Sequence, residues 1–301
     1  MSEIVEQIQK LKKQRNAVIL GHNYQLPEVQ DIADFVGDSL GLSLKAHETS
    51  ASVIVFCGVR FMAETAAIIS PDKTVLLPDA QAGCPLAEMI SVAELRELKA
   101  AHPGVPVVCY INTNADVKAE CDLCCTSANA LEIVESLESE EVIFVPDKYL
   151  GSYVQEKTKK HLILGKGFCP THQVFTVEEI AALKAEYPGA LFMIHPETNP
   201  DLRAVADYVG GTGGMRVFAR NNPGPFIVGT EVGMLHRLEQ ENPGKLFVPA
   251  SERAVCPNMK KITLEKVLWA LEDMQPVITV EEPTASLARR SIERMLAINT
   301  Q

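Results

Sequence analysis

Residues 2–23 (SEIVEQIQKLKKQRNAVILGHN), 91–112 (SVAELRELKAAHPGVPVVCYIN) and 176–197 (TVEEIAALKAEYPGALFMIHPE) align without a gap over 22 positions. Self-similarity at a fixed period constrains a fold more than local propensity does, because one supersecondary unit then recurs along the chain. Each copy reads as an amphipathic helix, a turn and a short apolar strand. The second and third open with a capping box, Ser91 with Glu94 and Thr176 with Glu179, and both helices end at Pro-Gly. A polar triplet closes each copy: His22-Asn23-Tyr24, Tyr110-Ile111-Asn112 and His195-Pro196-Glu197.

The repeat continues downstream. Segments QDIADFVGDS, KAECDLCCTS and RAVADYVGGT place Asp34, Asp122 and Asp207 in register, and with them Ser39, Ser127 and Thr212. A second apolar strand recurs in ASVIVFCG, EVIFVPDK and PFIVGTEVG, and a third in TVLLPD, HLILG and KLFVPA. A partial fourth copy of the first helix starts at Thr263, and a last helix closes the chain. The expected fold is therefore α/β: three homologous three-layer α/β/α units of about 85 residues, each with a short parallel sheet. The expected boundaries are 1–88, 89–174, and 175–301 with a C-terminal helical extension. Units this small bury little core alone, so packing around a pseudo-threefold axis is expected. Ligand sites of open parallel sheets lie beyond the carboxyl ends of their strands, where all three triplets fall. Three such ends turned inward would make one central pocket.

Eight cysteines stand at 57, 84, 109, 121, 124, 125, 169 and 256. Neither a dense disulfide scaffold nor paired zinc knuckles fits that spacing, and the close-spaced radical-SAM triplet is absent. Cys84, Cys169 and Cys256 each precede a proline, one per repeat, 85 and 87 residues apart. Three thiolates converging on an axis could hold a zinc ion or three corners of a 4Fe-4S cluster, whose fourth iron would stay open as a Lewis acid. Singly, each could equally be an inert turn cysteine. Cys57 and Cys109 lie inside strand patterns and read as core. Cys121-Asp122-Leu123-Cys124 is formally a CxxC redox motif. Yet Cys121 aligns with Ala33 and Ala206, and Cys125 with Gly37 and Gly210, so small-residue packing is the expectation there.

Ser39, Ser127 and Thr212 are expected at helix starts, where a hydroxyl and free amides cradle an anion, or simply cap the helix. His22, Tyr24, Tyr110, Asn112, His195 and Glu197 supply donors and at least one general base. His172, three residues after Cys169, could support a ligand from behind. The other histidines read as structural.

With 28 basic and 39 acidic side chains the formal charge is −11, which argues against nucleic acid or an anionic membrane as the main partner. No run approaches a membrane span, and residues 1–16 lack the apolar core of a secretion signal. A cytoplasmic location is expected.

GHNYQLPEVQDIADFVGDS, CTSAN, CPTHQ, HPE, ADYVGGTGGM, GTEVGM and CPNMKK together resemble quinolinate synthase, the 4Fe-4S enzyme family of bacterial and archaeal NAD biosynthesis, over nearly the whole chain. The resemblance implies three α/β domains around a central cluster. It also implies condensation of iminoaspartate (iminosuccinate) with dihydroxyacetone phosphate to quinolinate, phosphate and two waters. Carried over, the cluster ligands are Cys84, Cys169 and Cys256. The substrate-binding residues are His22, Ser39, Tyr110, Asn112, Ser127, His195, Glu197 and Thr212. Tyr24 matches a family tyrosine linked to the phosphate-bearing substrate, and Tyr24, Glu197 and His195 are the expected catalytic groups. An aspartate-oxidising enzyme is the implied source of the imine. The CDLCC thiols match no family requirement, and the redox-sensitive C-terminal cysteine pair of some members is missing. The alternatives are an aconitase-like hydro-lyase with the same open iron, a non-catalytic iron–sulfur sensor, and a threefold module holding structural zinc; the net acidity disfavours a DNA-binding sensor.

Overall fold

The computed structural model describes residues 3–298. The first repeat runs α1 (Glu3–Gln14), β1 (Ala17–His22), α2 (Pro27–Ile32), β2 (Phe35–Gly37), α3 (Ser39–Glu48), β3 (Val53–Cys57), α4 (Arg60–Ile69) and β4 (Thr74–Leu76). The second runs α5 (Val92–Ala101), β5 (Val107–Tyr110), α6 (Ala115–Ala119), β6 (Leu123–Cys125), α7 (Ala130–Glu135), β7 (Glu141–Val145), α8 (Lys148–Gln155) and β8 (His161–Leu164). The third runs α9 (Val177–Glu186), β9 (Leu191–Ile194), α10 (Pro200–Ala204), β10 (Tyr208–Val209), α11 (Thr212–Asn221), β11 (Phe226–Gly229), α12 (Met234–Glu241) and β12 (Phe247–Pro249).

Each repeat forms its own parallel four-stranded sheet, ordered β2-β1-β3-β4, β6-β5-β7-β8 and β10-β9-β11-β12. The chain is thus α/β with three small parallel sheets, as the repeat requires. The central strands are apolar along their length and buried on both faces, as parallel sheets under helices must be.

Local sequence explains the joints. Ser91 and Glu94 close a full capping box on α5, and the Thr176 hydroxyl caps α9 by accepting from the Glu179 amide. Both helices stop before Pro-Gly, with Gly104 and Gly189 at φ 81°, a region a side chain seldom enters. The first copy lacks Pro-Gly and turns at Asn16 instead, with φ 48°.

Each sheet holds one strand more than expected. The ten-residue segments carry edge strands β2, β6 and β10, too short to show as apolar runs. What seats them is the aspartate in register. The Asp34, Asp122 and Asp207 carboxylates accept from the amides of Ile19, Val107 and Phe192, each at 2.8 Å. Their own amides donate back to the carbonyls of those same residues.

The partial fourth copy yields α13 (Leu264–Asp273), capped by Thr263, but no parallel strand. Residues 276–278 instead lie antiparallel to β4: the Leu77 amide donates to Pro276 O at 3.1 Å, and the Ile278 amide to Val75 O at 2.8 Å. That segment covers an edge left open in the first sheet. α13 packs along α1, and α14 (Thr284–Ile298) against α4, α6 and β6. Cys57, Cys109, Cys124 and Cys125 are buried in the strands; Cys109 Sγ faces Cys124 Sγ at 3.5 Å across the β5–β6 pair. Among the described residues no helix is long and apolar enough to cross a membrane.

Candidate active site

In each sheet the chain leaves the inner strand toward one neighbour and later returns on its other side. The carboxyl ends of β1 and β3, β5 and β7, β9 and β11 therefore flank a crevice. The Cys-Pro loops are strapped to these ends by one repeated backbone bond. Arg60 N donates to Ala82 O at 2.7 Å, Lys148 N to Gly167 O at 2.9 Å, and Val232 N to Ala254 O at 2.9 Å. Each accepting carbonyl lies two residues before its cysteine. Behind each cysteine a short 3₁₀ turn follows (Leu86–Glu88, Pro170–Gln173, Met259–Lys261), and its amides turn toward the sulfur: Ala87 and Leu86 to Cys84, His172 to Cys169, Met259 and Asn258 to Cys256. Such donors favour a thiolate, although burial pushes all three metal-free thiols up, Cys84 to about 12.

The three loops open onto one partly enclosed pocket. The first repeat contributes His22, Tyr24, Ser39 and Cys84 to its wall. The second contributes Tyr110, Asn112, Ser127 and Cys169, and the third His195, Glu197, Thr212 and Cys256. Every site residue expected from the sequence thus lies around this cavity. One local expectation is corrected. Ser39 and Thr212 do open α3 and α11, but Ser127 sits in a turn three residues before α7, so it is not a helix start. The side chain that turns this segment is Asn129, which accepts from the Thr126 amide at 2.6 Å.

Two histidines are held alike. The Tyr24 amide donates to His22 Nδ1 at 3.1 Å, and the Glu197 amide to His195 Nδ1 at 3.4 Å. Nδ1 is then the acceptor, which leaves Nε2 to carry the proton. Burial, reinforced by His195 and Lys260, pushes His22 down to about 3; burial likewise takes His195 down to about 3 against the pull of Glu197. Both rings are neutral donors at neutral pH. Asn23, fully buried, donates to Thr212 Oγ1 at 2.8 Å, which frees the threonine's own proton for another acceptor.

A chain of close polar contacts, hydrogen-bonded from Tyr24 to His172, crosses the cavity wall. Tyr24 Oη lies 2.5 Å from Thr230 Oγ1, which lies 2.9 Å from His172 Nε2, and His172 Nδ1 lies 2.7 Å from Glu197 Oε2. Burial alone would raise the Glu197 carboxyl; the facing His195 and His172 and the Tyr110 hydroxyl outweigh it and hold the group ionised. Burial, then the Glu197 charge, lifts the Tyr24 and Tyr110 phenols well above their usual range. The arrangement sets a protonated phenol at one end and a carboxylate at the other, with a hydroxyl and an imidazole between. That is the order needed to pass a proton.

Sequence reasoning left out Thr230, Glu231 and Lys260. Thr230 aligns with Gly58 and Pro146, so no repeat of polarity marks it. Glu231, fully buried, accepts from the Cys256 amide at 3.0 Å and pairs with Lys260 Nζ at 2.9 Å. Lys260 also donates to Tyr24 O at 2.6 Å, which ties the Cys256 loop to the first repeat.

Among the described residues, three potential metal ligands come within 4.8 Å of one another only at Cys169, His172 and Glu197. The three Cys-Pro sulfurs are spread more widely. A zinc ion at about 2.3 Å from each sulfur would need them about 3.8 Å apart.

A family model described as Quinolinate synthetase A protein matches residues 6–297. A curated relative named quinolinate synthase from Dehalococcoides mccartyi is 57% identical over 296 residues, 98% of each chain. One from Geotalea uraniireducens is 54% identical over 98% of each chain, and one from Methanosarcina barkeri 52% over 99% of this chain and 98% of that one.

Proposed function

The chain belongs to the quinolinate synthase family, enzymes of NAD biosynthesis, and from that premise we propose that it condenses iminoaspartate with dihydroxyacetone phosphate, releasing quinolinate, phosphate and two waters. The observation that carries this reading is the single cavity into which three repeats send one thiol each, their hydroxyls, and a buried carboxylate joined to a phenol.

The cofactor we assign is a 4Fe-4S cluster on Cys84, Cys169 and Cys256. The amides aimed at each sulfur and the opening of all three cysteines onto one pocket support the fit. When bound through three thiolates, such a cluster supplies one iron with a free position, a Lewis acid for loss of hydroxide as water.

The chain's own residues do the rest. The hydroxyls of Ser39, Ser127 and Thr212, with the Nε2 protons of His22 and His195, hold the two carboxylates of iminoaspartate as neutral donors. Tyr110 and Asn112 complete that pocket. Tyr24 faces the phosphate-bearing substrate and passes its proton through Thr230 to His172, whose charged form Glu197 stabilises. The same relay run backward returns a proton to a leaving hydroxyl. Val59, Phe61 and Met62 form an apolar wall that keeps water from the imine. Iminoaspartate is an unstable imine, so an aspartate-oxidising enzyme is its proposed source. The thiol-reducing cytoplasm is the proposed setting.

The test begins with protein purified without oxygen. About four irons and four sulfides per chain are expected, falling when Cys84, Cys169 or Cys256 alone is replaced. Quinolinate should then form only when both substrates are supplied. Zinc without iron after anaerobic reconstitution, or iron-loaded protein that makes no quinolinate, overturns the reading.

A further inference from the structure

Three buried side chains outside the cavity occupy one register of the repeat: Gln30, Lys118 and Arg203, each opening its ten-residue segment. Each donates backward to the loop that carries a polar triplet. Gln30 Nε2 bonds Gln25 O at 3.0 Å and Asn23 O at 3.2 Å. Lys118 Nζ bonds Thr113 O at 2.5 Å. Arg203 Nη1 bonds Thr198 O at 2.5 Å and Pro196 O at 3.5 Å. In all three the principal acceptor lies five residues before the donor.

Each also reaches a different repeat, and always the same place in it, the fourth residue past the end of an inner strand. Gln30 donates to Gly233 O at 2.9 Å, beyond β11. Arg203 donates to Tyr149 O at 3.2 Å, beyond β7. Lys118 Nζ stands 5.3 Å from the ring centre of Phe61, beyond β3. The first repeat thus reaches the third, the third the second, and the second the first, so the contacts close into a ring as head-to-tail interfaces around a threefold arrangement do.

We infer that Gln30, Lys118 and Arg203 are positioning residues for the condensation, each fixing a substrate-bearing loop against the neighbouring repeat. Arg203 carries the inference furthest. Every carbonyl from His195 to Thr198 is engaged: His195 O by the Thr198 hydroxyl, Glu197 O by Gln173, and the other two by Arg203. Its second nitrogen holds Ser152 Oγ on α8 at 2.9 Å and Glu156 Oε1, at the end of that helix, at 2.5 Å. Glu156 balances the buried charge, yet three of the five groups Arg203 bonds are backbone carbonyls, two of them on the substrate-bearing loop. Only a forked guanidinium can grip both sides at once.

The inference rests on the proposed role of Glu197, so its test includes a readout that needs no turnover. In Arg203→Met, amides 197–199 should exchange with solvent roughly ten times faster while those of β9 and β11 keep their wild-type rates. In the iron-loaded enzyme kcat should fall about 10–100-fold with KM within about threefold, as displacement of a reacting group by an ångström does. Arg203→Lys, which can hold the loop but not α8 as well, should fall between, and it carries the same comparison if Arg203→Met does not fold. Unchanged loop exchange overturns the inference, as does faster exchange throughout the third sheet, which would make the residue merely structural. If wild type makes no quinolinate, the functional reading fails while the exchange result still decides the clamp.

Discussion

His172 Nδ1 lies 2.7 Å from Glu197 Oε2, and both side chains are almost wholly buried. The opposite nitrogen of the same ring meets Thr230, and through it Tyr24. A histidine read from sequence only as a possible support for Cys169 therefore stands between the Tyr24 phenol and the Glu197 carboxylate.

Cutting this path at either end should be expensive. Glu197→Gln and Thr230→Val should each lower kcat by roughly 10²-fold or more, as loss of a positioned acid or base does. Thr230→Ser keeps the hydroxyl and should stay within about fivefold of wild type. Steady-state rates at matched iron content decide the matter; a Thr230→Val enzyme with near-normal kcat would show that protons travel another way.

Gly211 has no side chain because Ser127 leaves no room for one. A Cβ at Gly211 would lie 2.7 Å from Ser127 Oγ. Gly211→Ala should turn the hydroxyl away from the cavity and raise KM for the imine about tenfold, the worth of one hydrogen bond to a charged group. Adding Ser127→Ala should raise it no further. Additive effects would mean that Ser127 and Gly211 act separately.

The Glu231–Lys260 pair is a fastening. Burial lifts the Glu231 carboxyl and Lys260 opposes that rise. Lys260→Met strands the carboxylate in the interior and should destabilise the protein by about 3 kcal/mol, the low end for breaking a buried pair, since Lys260 retains some water contact. Iron content should drop with it, because Glu231 holds the Cys256 amide. Urea unfolding and iron analysis on one preparation test both; stability lost with full iron retention would confine the pair to folding.

The three edge-strand aspartates should behave as one class. Asp34→Ala, Asp122→Ala and Asp207→Ala each orphan a strand amide and should cost about 1–3 kcal/mol, with activity per iron unchanged. Losses below about 0.5 kcal/mol at all three positions in urea titrations would mean the strands seat themselves without the carboxylate.

Acid should weaken the cluster-free protein through two buried neutral histidines. His22 and His195 stay neutral in the fold to about pH 3, while in the unfolded chain they take up protons near 6.5. The unfolded state then binds more protons below pH 6.5, so stability falls as pH drops through that window. Two such groups contribute a slope of at most about 2.7 kcal/mol per pH unit. Urea midpoints at intervals from pH 7 to 5 should follow that slope, and His22→Gln should roughly halve it. A midpoint flat with pH would mean the rings are not buried neutral.

Most of the fold could be read from the chain because threefold repetition multiplied weak signals. One cysteine before a proline says little, but three in register with three polar triplets point to one cavity. What the repeat did not multiply stayed hidden. Thr230 and Glu231 occur in one copy only, where the others place Gly58 and Val59 or Pro146 and Asp147. The edge strands were missed for a different reason: two or three residues make no period, and their alignment comes from an aspartate rather than from apolar pattern. Gln30, Lys118 and Arg203 share a register but not a chemistry. Nothing in the sequence marks three unlike side chains as one set, and burial is what brings them together.

The backbone straps have a consequence for quality control. Each cysteine is bound to its own sheet through the carbonyl two residues before it, so each sulfur travels with its own repeat. A group bonded to all three sulfurs would act as a gauge, seated only when the three sheets stand at the right distance. Loading of the proposed cluster would therefore inspect all three sheets. Damage far from the cavity that shifts one sheet should register first as missing iron, while the protein that does load works at full rate.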